Sequence, residues 1–361
     1  CGELAALQTQ SDPVLLLLVQ GQNGLAHQSA GEDAALLQSF LQAGMSLTGG
    51  LAAAVDGLRD GVDAVGPILC FLQSVLVRIL EDIPCRADQL RHTALDTTLM
   101  AGSGHIGGSL SSMDILTVLY YKYMNIKKDD PTWADRDRFI LSKGHIGIGY
   151  AGLLCDLGWN DPEQLKTFNL TNSKMGVHLD SNKVVGVDAS TGSLGHGLSI
   201  AVGTALAARV QKKSYITYCL LGDGECDEGS NWEAAMSAGQ FNTTNMIAFV
   251  DRNRLEMDGP TEDEMKLEPF ADKWTAFGFD VKEIDGHNFK ELCDAIDYAL
   301  AATEKPVMII CNTIKGCGID FMENDFKWHY GAIDQDMHDK AAKSLDAYYK
   351  KRIERVEKEA K

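Results

Sequence analysis

The chain is short of positive charge. Its 361 residues carry 33 Lys and Arg against 51 Asp and Glu, a net charge of −18. A surface this acidic repels nucleic acid and anionic membranes, which excludes both as expected partners. It also repels phosphorylated ligands. One like-charge pair ~4 Å apart costs roughly 4 kcal/mol at an effective dielectric of 20. Any phosphate site must therefore be built locally, from a metal, helix N-termini and cationic side chains. Long apolar runs are missing too. Val14–Val19 is far too short to span a bilayer. Asp63, Pro67 and Arg78 interrupt Val62–Leu80, so an amphipathic or buried helix is expected there rather than a membrane span. The nine cysteines include no Cys-x-x-Cys pair and no metal-ligand spacing. Cys219 and Cys311 lie in apolar, strand-like runs and read as small buried hydrophobes of a reducing compartment, the cytoplasm. No signal peptide is evident. The sequence opens on Cys1 rather than Met, as a fragment or a processed product would.

Residues 1–83 are poor in charge and rich in Leu, Ala, Gln and Gly, with glycine breaks at Gly49-Gly50 and Gly66-Pro67. They carry no motif and read as an N-terminal extension, helical or partly disordered. An interaction helix, a membrane-surface helix and a fusion or assembly artefact all fit this composition. From Pro84 the texture changes. Strand-like runs at Arg138–Ser142, Ile216–Leu221, Met246–Asp251, Phe279–Ile284 and Val307–Thr313 alternate with helical ones. The helical runs are Arg86–Met100, Ser112–Met124, Leu198–Arg209, Trp232–Phe241 and Phe289–Ala302. This alternation predicts an α/β domain over residues 84–335, built on a doubly wound parallel sheet. Residues 336–361 are rich in Lys and Glu and read as a charged C-terminal helix with a solvated face.

Two of the expected strands end in oxygen-bearing side chains. Tyr218-Cys219-Leu220-Leu221 leads into Gly222-Asp223-Gly224-Glu225, and Met246–Val250 leads into Asp251-Arg252-Asn253. Ligands of α/β sheets bind at the carboxyl ends of the strands. An Asp and an Asn side by side there suit a hard cation such as Mg²⁺ (or Ca²⁺ or Mn²⁺), which usually keeps a diphosphate among its ligands. Gly224 leaves no Cβ in the way of a close backbone approach. A helix starting near Asn231 would add its N-terminal N–H groups. Gly-Asp-Gly alone is also an ordinary turn; the second strand and its Asn make the pair informative. Four histidines sit in glycine-rich contexts: His105 in Ser-Gly-His-Ile-Gly-Gly, His145 after Ser142-Lys143-Gly144, His178 after Gly176-Val177, and His329 between Trp328 and Tyr330. Histidine donates, accepts and titrates near neutrality, which suits proton handling, and several imidazoles would lend positive character to a phosphate site. Asp285-Gly286-His287-Asn288 reads as a turn with Asn288 as N-cap. His27, His92 and His338 read as ordinary surface or core residues.

Gly222-Asp223-Gly224 with Asn253 downstream resembles the thiamin diphosphate signature, and the stretch from Gly222 to Gly259 resembles transketolase in its short, split form. The resemblance covers residues 84–335. It implies a thiamin diphosphate-binding domain of the diphosphate (PP) type, with Asp223, Asn253 and the backbone carbonyl of Leu255 as metal ligands and Gly222 and Gly224 against the phosphates. His145 and His329 would contact the diphosphate; His105 and His178 would bind hydroxyls of the sugar donor and assist proton transfer. Gly192 and Leu194 match the loop that cradles the aminopyrimidine and diphosphate. Glu228 matches a glutamate at the subunit interface, beside the glutamate that activates the cofactor. The role of His196 is left open, and Lys315 either reaches a phosphate or is a plain surface lysine. Ile106 and Leu179 stand where the family commonly has proline, which alters loop stiffness and removes no functional group. The implied activity is ketol transfer between a ketose phosphate and an aldose, as in the pentose phosphate pathway. The family's pyrimidine-binding domain is missing from this sequence, so the activating glutamate is expected from a partner subunit in an α₂β₂ assembly. Two rival readings remain: a subunit of another thiamin diphosphate enzyme, of 2-oxo acid dehydrogenase or deoxyxylulose-phosphate synthase type, or a non-catalytic regulatory subunit.

Overall fold

The computed structural model describes residues 65–359, and the side chains of residues 83–354. The sequence-based reading of residues 1–64 lies outside the described residues. The chain divides into two units, Cys1–Leu76 and Val77–Lys361, and apart from residues 65–76 all that follows lies in the second. Helix α1 spans Val65–Ala101. Pro84, where the composition changes, lies inside it rather than at a boundary.

In chain order the elements are then α2 (Ile106–Val118), β1 (Arg138–Leu141), α3 (Gly147–Asp156), α4 (Gly197–Val210), β2 (Thr217–Gly222), α5 (Gly229–Gln240), β3 (Met246–Arg252), α6 (Thr261–Glu264), α7 (Phe270–Ala276), β4 (Asp280–Asp285), α8 (Phe289–Ala301), β5 (Val307–Asn312) and α9 (Gln335–Glu359). The five strands form one parallel sheet in the order β1-β2-β3-β5-β4. The doubly wound α/β fold is therefore as the alternation predicts.

Side chains alternate between the two faces, as a period of two requires. Phe139, Leu141, Tyr218, Leu220, Ile247, Phe249, Val307 and Ile309 join one core with α1, α2, α3 and α8. Ile140, Cys219, Leu221, Met246, Ala248, Val250, Met308 and Ile310 join the other with α4, α5 and α7. Every residue of β2 and β3 is buried. That explains why these strands read as unbroken apolar runs. Each buried Leu or Phe contributes about 1.5–3 kcal/mol.

Helix α2 has no polar face, because all thirteen of its residues are buried. Its glycines let it pass close under the loop that ends at His329: a Cβ on Gly107 would lie 2.6 Å from the Trp328 carbonyl oxygen. Helix α9 has the charged, solvated face expected, and its other face is covered. Ala341 and Leu345 are buried against Leu95, Ile106 and Leu110. Arg352 donates to Asp114 Oδ1 at 2.8 Å and to the His287 carbonyl at 2.8 Å. Among the described residues no helix is long and apolar enough to cross a membrane.

Candidate cofactor-binding site

The parallel register brings Gly222 beside Asp251, and Asp251 beside Cys311. The segments that follow β1, β2, β3 and β5 therefore emerge together at one edge. They are Ser142-Lys143-Gly144-His145, Asp223-Gly224-Glu225, Asn253-Arg254-Leu255 and Thr313-Ile314-Lys315.

Asp223 is buried. Its Oδ1 accepts from the Gly224 N–H at 2.9 Å and its Oδ2 from the Arg254 N–H at 2.5 Å. Its cationic neighbour, Arg252, is 3.6 Å away and is shared with Glu262 and Glu268. Burial, then the charge of Asp251, raises the Asp223 carboxyl above its ordinary range. Asn253 Oδ1 accepts from the Leu255 N–H at 3.2 Å. The Leu255 carbonyl accepts from Lys315 Nζ at 2.7 Å. The three expected metal ligands thus lie in one neighbourhood. Among the described residues no cluster of three His, Cys, Asp or Glu side chains is placed to hold a metal alone. One carboxylate, one amide and one carbonyl is an oxygen set for a hard cation that takes its remaining ligands from a phosphate or water. A buried carboxylate that shares its one guanidinium neighbour with two glutamates also fits a metal, since the ion would add positive charge.

Two further carboxylates brace this edge, and sequence reasoning assigned neither a role. Asp251 is fully buried and accepts from Lys143 Nζ, Ser111 Oγ, Ser112 Oγ and Thr313 Oγ1. Asn253 Nδ2 reaches it at 3.3 Å, which orients the Asn253 amide. Burial alone would raise the Asp251 carboxyl, but Lys143 and the hydroxyls hold it below the ordinary range. Glu225 follows Asp223 by two residues, and burial pushes its carboxyl up against the pull of its hydrogen bonds. The signals were in the motifs already quoted, Ser-Lys-Gly-His, Gly-Asp-Gly-Glu and Asp-Arg-Asn. What was missing was the register that brings them together.

The rings of His105, His145 and His329 form a triangle, with centroids 5.0, 5.2 and 5.3 Å apart. Lys315 Nζ is 3.0 Å from His329 Nδ1 and 3.1 Å from the Glu256 carbonyl oxygen. Of the two readings of Lys315, the surface lysine is excluded, since its side chain is buried among these groups. Burial, then the neighbouring His178 and Lys315, pushes His105 down to about 4. Burial and Lys315 push His329 down to about 3, and burial and Lys143 hold His145 well below its usual value. These imidazoles are neutral at pH 7, which corrects the expectation that they lend positive character. That character comes from Lys315, lowered by burial to about 8. His105 Nδ1 is buried and makes no hydrogen bond among the described residues.

Gly192 has φ 147°, and a Cβ there would lie 2.7 Å from the His178 ring. The glycine loop and His178 are thus packed against each other. A Cβ on Gly224 would lie 2.6 Å from Glu256 Cγ. The bare backbone at Gly224 admits Glu256, whose carboxyl is pushed up to about 7 by burial, Asp227 and Asp223. Leu194 is half-buried beside Gly195, while His196 and Glu228 are exposed. His287, read as part of a turn, binds Asp114 through Nδ1 at 2.8 Å and accepts from the Ile314 N–H through Nε2 at 2.9 Å. It braces the segment that carries Lys315. Asn288 caps α8 as predicted, accepting from the N–H groups of Lys290 and Glu291.

Comparison with known proteins gives one consistent result. Residues 85–354 match the family described as "Transketolase, thiamine diphosphate binding domain". The chain is 42% identical over 265 residues to the 6-deoxy-6-sulfo-D-fructose transketolase subunit SqwG of a Clostridium species, covering 73% of this chain and 96% of that one. It is 38% identical over 283 residues to an apulose-4-phosphate transketolase subunit of Phocaeicola vulgatus, covering 78% and 98%. The crystal structure of transketolase from Campylobacter jejuni superposes with a TM-score of 0.69 at 31% identity, covering 74% of this chain but only 43% of that one.

Proposed function

The chain belongs to the transketolase family, and from that premise we propose that it is the diphosphate-binding subunit of a two-subunit ketol transferase dependent on thiamin diphosphate and Mg²⁺. The observation that carries the proposal is the meeting of Asp223, Asn253 and the Leu255 carbonyl with Lys315 and three neutral imidazoles at one sheet edge. Bound there, thiamin diphosphate would supply the electron sink for breaking and remaking a carbon–carbon bond next to a carbonyl.

The chain's own groups have separable tasks. Asp223, Asn253 and the Leu255 carbonyl hold the metal. Lys315, His145 and His329 face the diphosphate, with Gly192, Leu194, Gly222 and Gly224 shaping the loops around it. His105 and His178 bind hydroxyls of the donor and move protons to and from them; the lowered value of His105 leaves its ring free to accept one. Orientation by these groups converts an encounter into a positioned reaction.

The donor is a ketose phosphate or another anionic ketose of similar size, and the acceptor an aldose. The names of the two relatives, one for a sulfonated fructose and one for apulose 4-phosphate, support a family in which the sugar varies between members. Glu228, exposed at the start of α5, faces a pyrimidine-binding partner that brings the activating glutamate, in an α₂β₂ assembly. The matched relatives of similar length are themselves named as subunits, which supports this. The test is an assay of the full chain with and without the product of the neighbouring gene. Ketol transfer that requires both chains supports the proposal. Tight cofactor binding with no transfer by the pair would replace it with a regulatory role. Calorimetry of Asp223→Ala tests the metal assignment, which is lost if thiamin diphosphate affinity with Mg²⁺ is unchanged.

A further inference from the structure

We propose that Glu225 is a positioning residue of the cofactor site, its carboxylate tying three separate loops into one cradle. Its Oε1 accepts from the Ser142 hydroxyl and from the Gly195 N–H at 3.0 Å, and its Oε2 accepts from the Gly222 N–H at 3.0 Å. Ser142 opens the turn that carries Lys143 and His145. Gly195 sits in the Gly192–Gly197 loop. Gly222 is the last residue of β2 and precedes Asp223. The ladder of the sheet stops where these loops begin, so one buried carboxylate sets their spacing.

The surroundings show that the group is built in. Glu225 is 3% exposed, and its own carbonyl accepts from Asn231 Nδ2 at 2.7 Å. The other side of the Gly195 loop is held by Ser230 Oγ, which donates to the Gly195 carbonyl at 2.9 Å. All three partners of the Glu225 carboxylate are donors. The two carboxylate oxygens offer an acceptor to each of them, whereas an amide would turn its N–H groups toward at least one backbone N–H. Burying a carboxylate away from a paired cation is costly. Charge-assisted hydrogen bonds offset that cost and are about twice as strong as neutral ones. What results is rigidity where a site must hold its geometry to about 0.5 Å. Glu225 acts through the loops it joins and not by touching the ligand.

The inference rests on the reading that these loops hold the diphosphate, and the experiment separates the two. Thiamin diphosphate is titrated, with saturating Mg²⁺, into the full chain in complex with its partner, for wild type, Glu225→Gln, Ser142→Ala, Asp223→Ala and an exposed control, Glu233→Gln. Glu225→Gln is expected to weaken cofactor binding about tenfold and to raise the cofactor KM by the same factor. It should leave kcat at saturating cofactor and the donor KM near wild type, with Glu233→Gln indistinguishable from wild type. A cofactor affinity within threefold of wild type overturns the proposal. So does a fall in kcat with unchanged cofactor KM, the mark of a merely structural role. If Glu225→Gln does not fold, Ser142→Ala decides by the same threefold criterion, since it removes one of the three donors and leaves the carboxylate. If Asp223→Ala binds the cofactor like wild type, the diphosphate reading falls and the proposal with it. If Asp223→Ala loses binding while Glu225→Gln keeps it, only the proposal falls.

Discussion

Removing the ammonium of Lys143 should expose how the metal edge is held. Lys143 is 2% exposed and Asp251 fully buried, and the two form an ion pair behind the expected metal ligands. In Lys143→Met the Asp251 charge keeps hydroxyl partners at Ser111, Ser112 and Thr313 but loses its cation. Breaking a buried pair by removing one partner costs about 3–5 kcal/mol, because a charge is left uncompensated. For a domain of this size that is a fall of roughly 6–20 °C in melting temperature. The pH dependence has a definite sign. In the wild type the Asp251 carboxyl is held below its ordinary 3.8. Its contribution is therefore present above that value and lost as pH falls through the depressed folded value. In Lys143→Met burial acts without the lysine, and the folded value rises above the unfolded one. The variant is then most destabilised at neutral pH, and the gap to wild type narrows as pH falls toward 4. Urea unfolding at pH 7 and pH 5 measures this. Lys143→Met/Asp251→Asn should recover part of the loss, since neither charge then remains alone. A difference below about 1 kcal/mol at pH 7, a gap that does not narrow at pH 5, or no recovery in the double variant would refute the reasoning.

Asp114→Asn should destabilise by about 3–5 kcal/mol. It leaves the guanidinium groups of Arg91 and Arg352 buried with a neutral amide in place of the carboxylate they share; thermal unfolding and proteolysis at α9 report it. Gly192→Ala, at φ 147°, should cost about 1–3 kcal/mol in backbone strain. It should also displace the His178 ring, lowering kcat/KM for the donor more than cofactor affinity, as steady-state kinetics and calorimetry would show. Lys315→Met should weaken thiamin diphosphate binding about tenfold or more, the worth of one charge-assisted hydrogen bond, without abolishing Mg²⁺ binding; titrations of the two ligands separate these effects.

The strands were legible because β2 and β3 are buried on both faces and cannot hide their apolar runs. The proposed metal-ligand positions could be picked out because Asp223 and Asn253 each follow such a run closely. Helix α2 was harder. Its first turn, Ile106-Gly107-Gly108-Ser109, has no helical periodicity because all of its sides are buried, and its glycines serve close packing rather than a turn. Glu225 was illegible, and Lys315 legible only as one of two readings, for a different reason. A lysine after a strand and a glutamate after Gly-Asp-Gly are ordinary surface residues by composition, and only the register of β1, β2, β3 and β5 turns them inward. Helix α9 was legible as a charged helix with a solvated face, but not that one of its charges, Arg352, points into the protein toward Asp114.

The −18 net charge raised the question of how this chain could hold an anion at all, and the arrangement of its buried charges answers it. The histidines do not supply the attraction, since burial keeps the triangle neutral. Of the carboxylates Asp223, Glu225 and Asp251 at the edge, Asp251 is matched by Lys143, and Glu225 is matched by three neutral donors. Asp223 faces one buried guanidinium, that of Arg252 at 3.6 Å, and shares it with two glutamates. Lys315, in turn, bonds to two carbonyls and an imidazole, all of them neutral. A phosphate bound together with a metal cation would meet Lys315 with the one and Asp223 with the other, so the proposed cofactor would be held by local charges while the rest of the surface stays acidic.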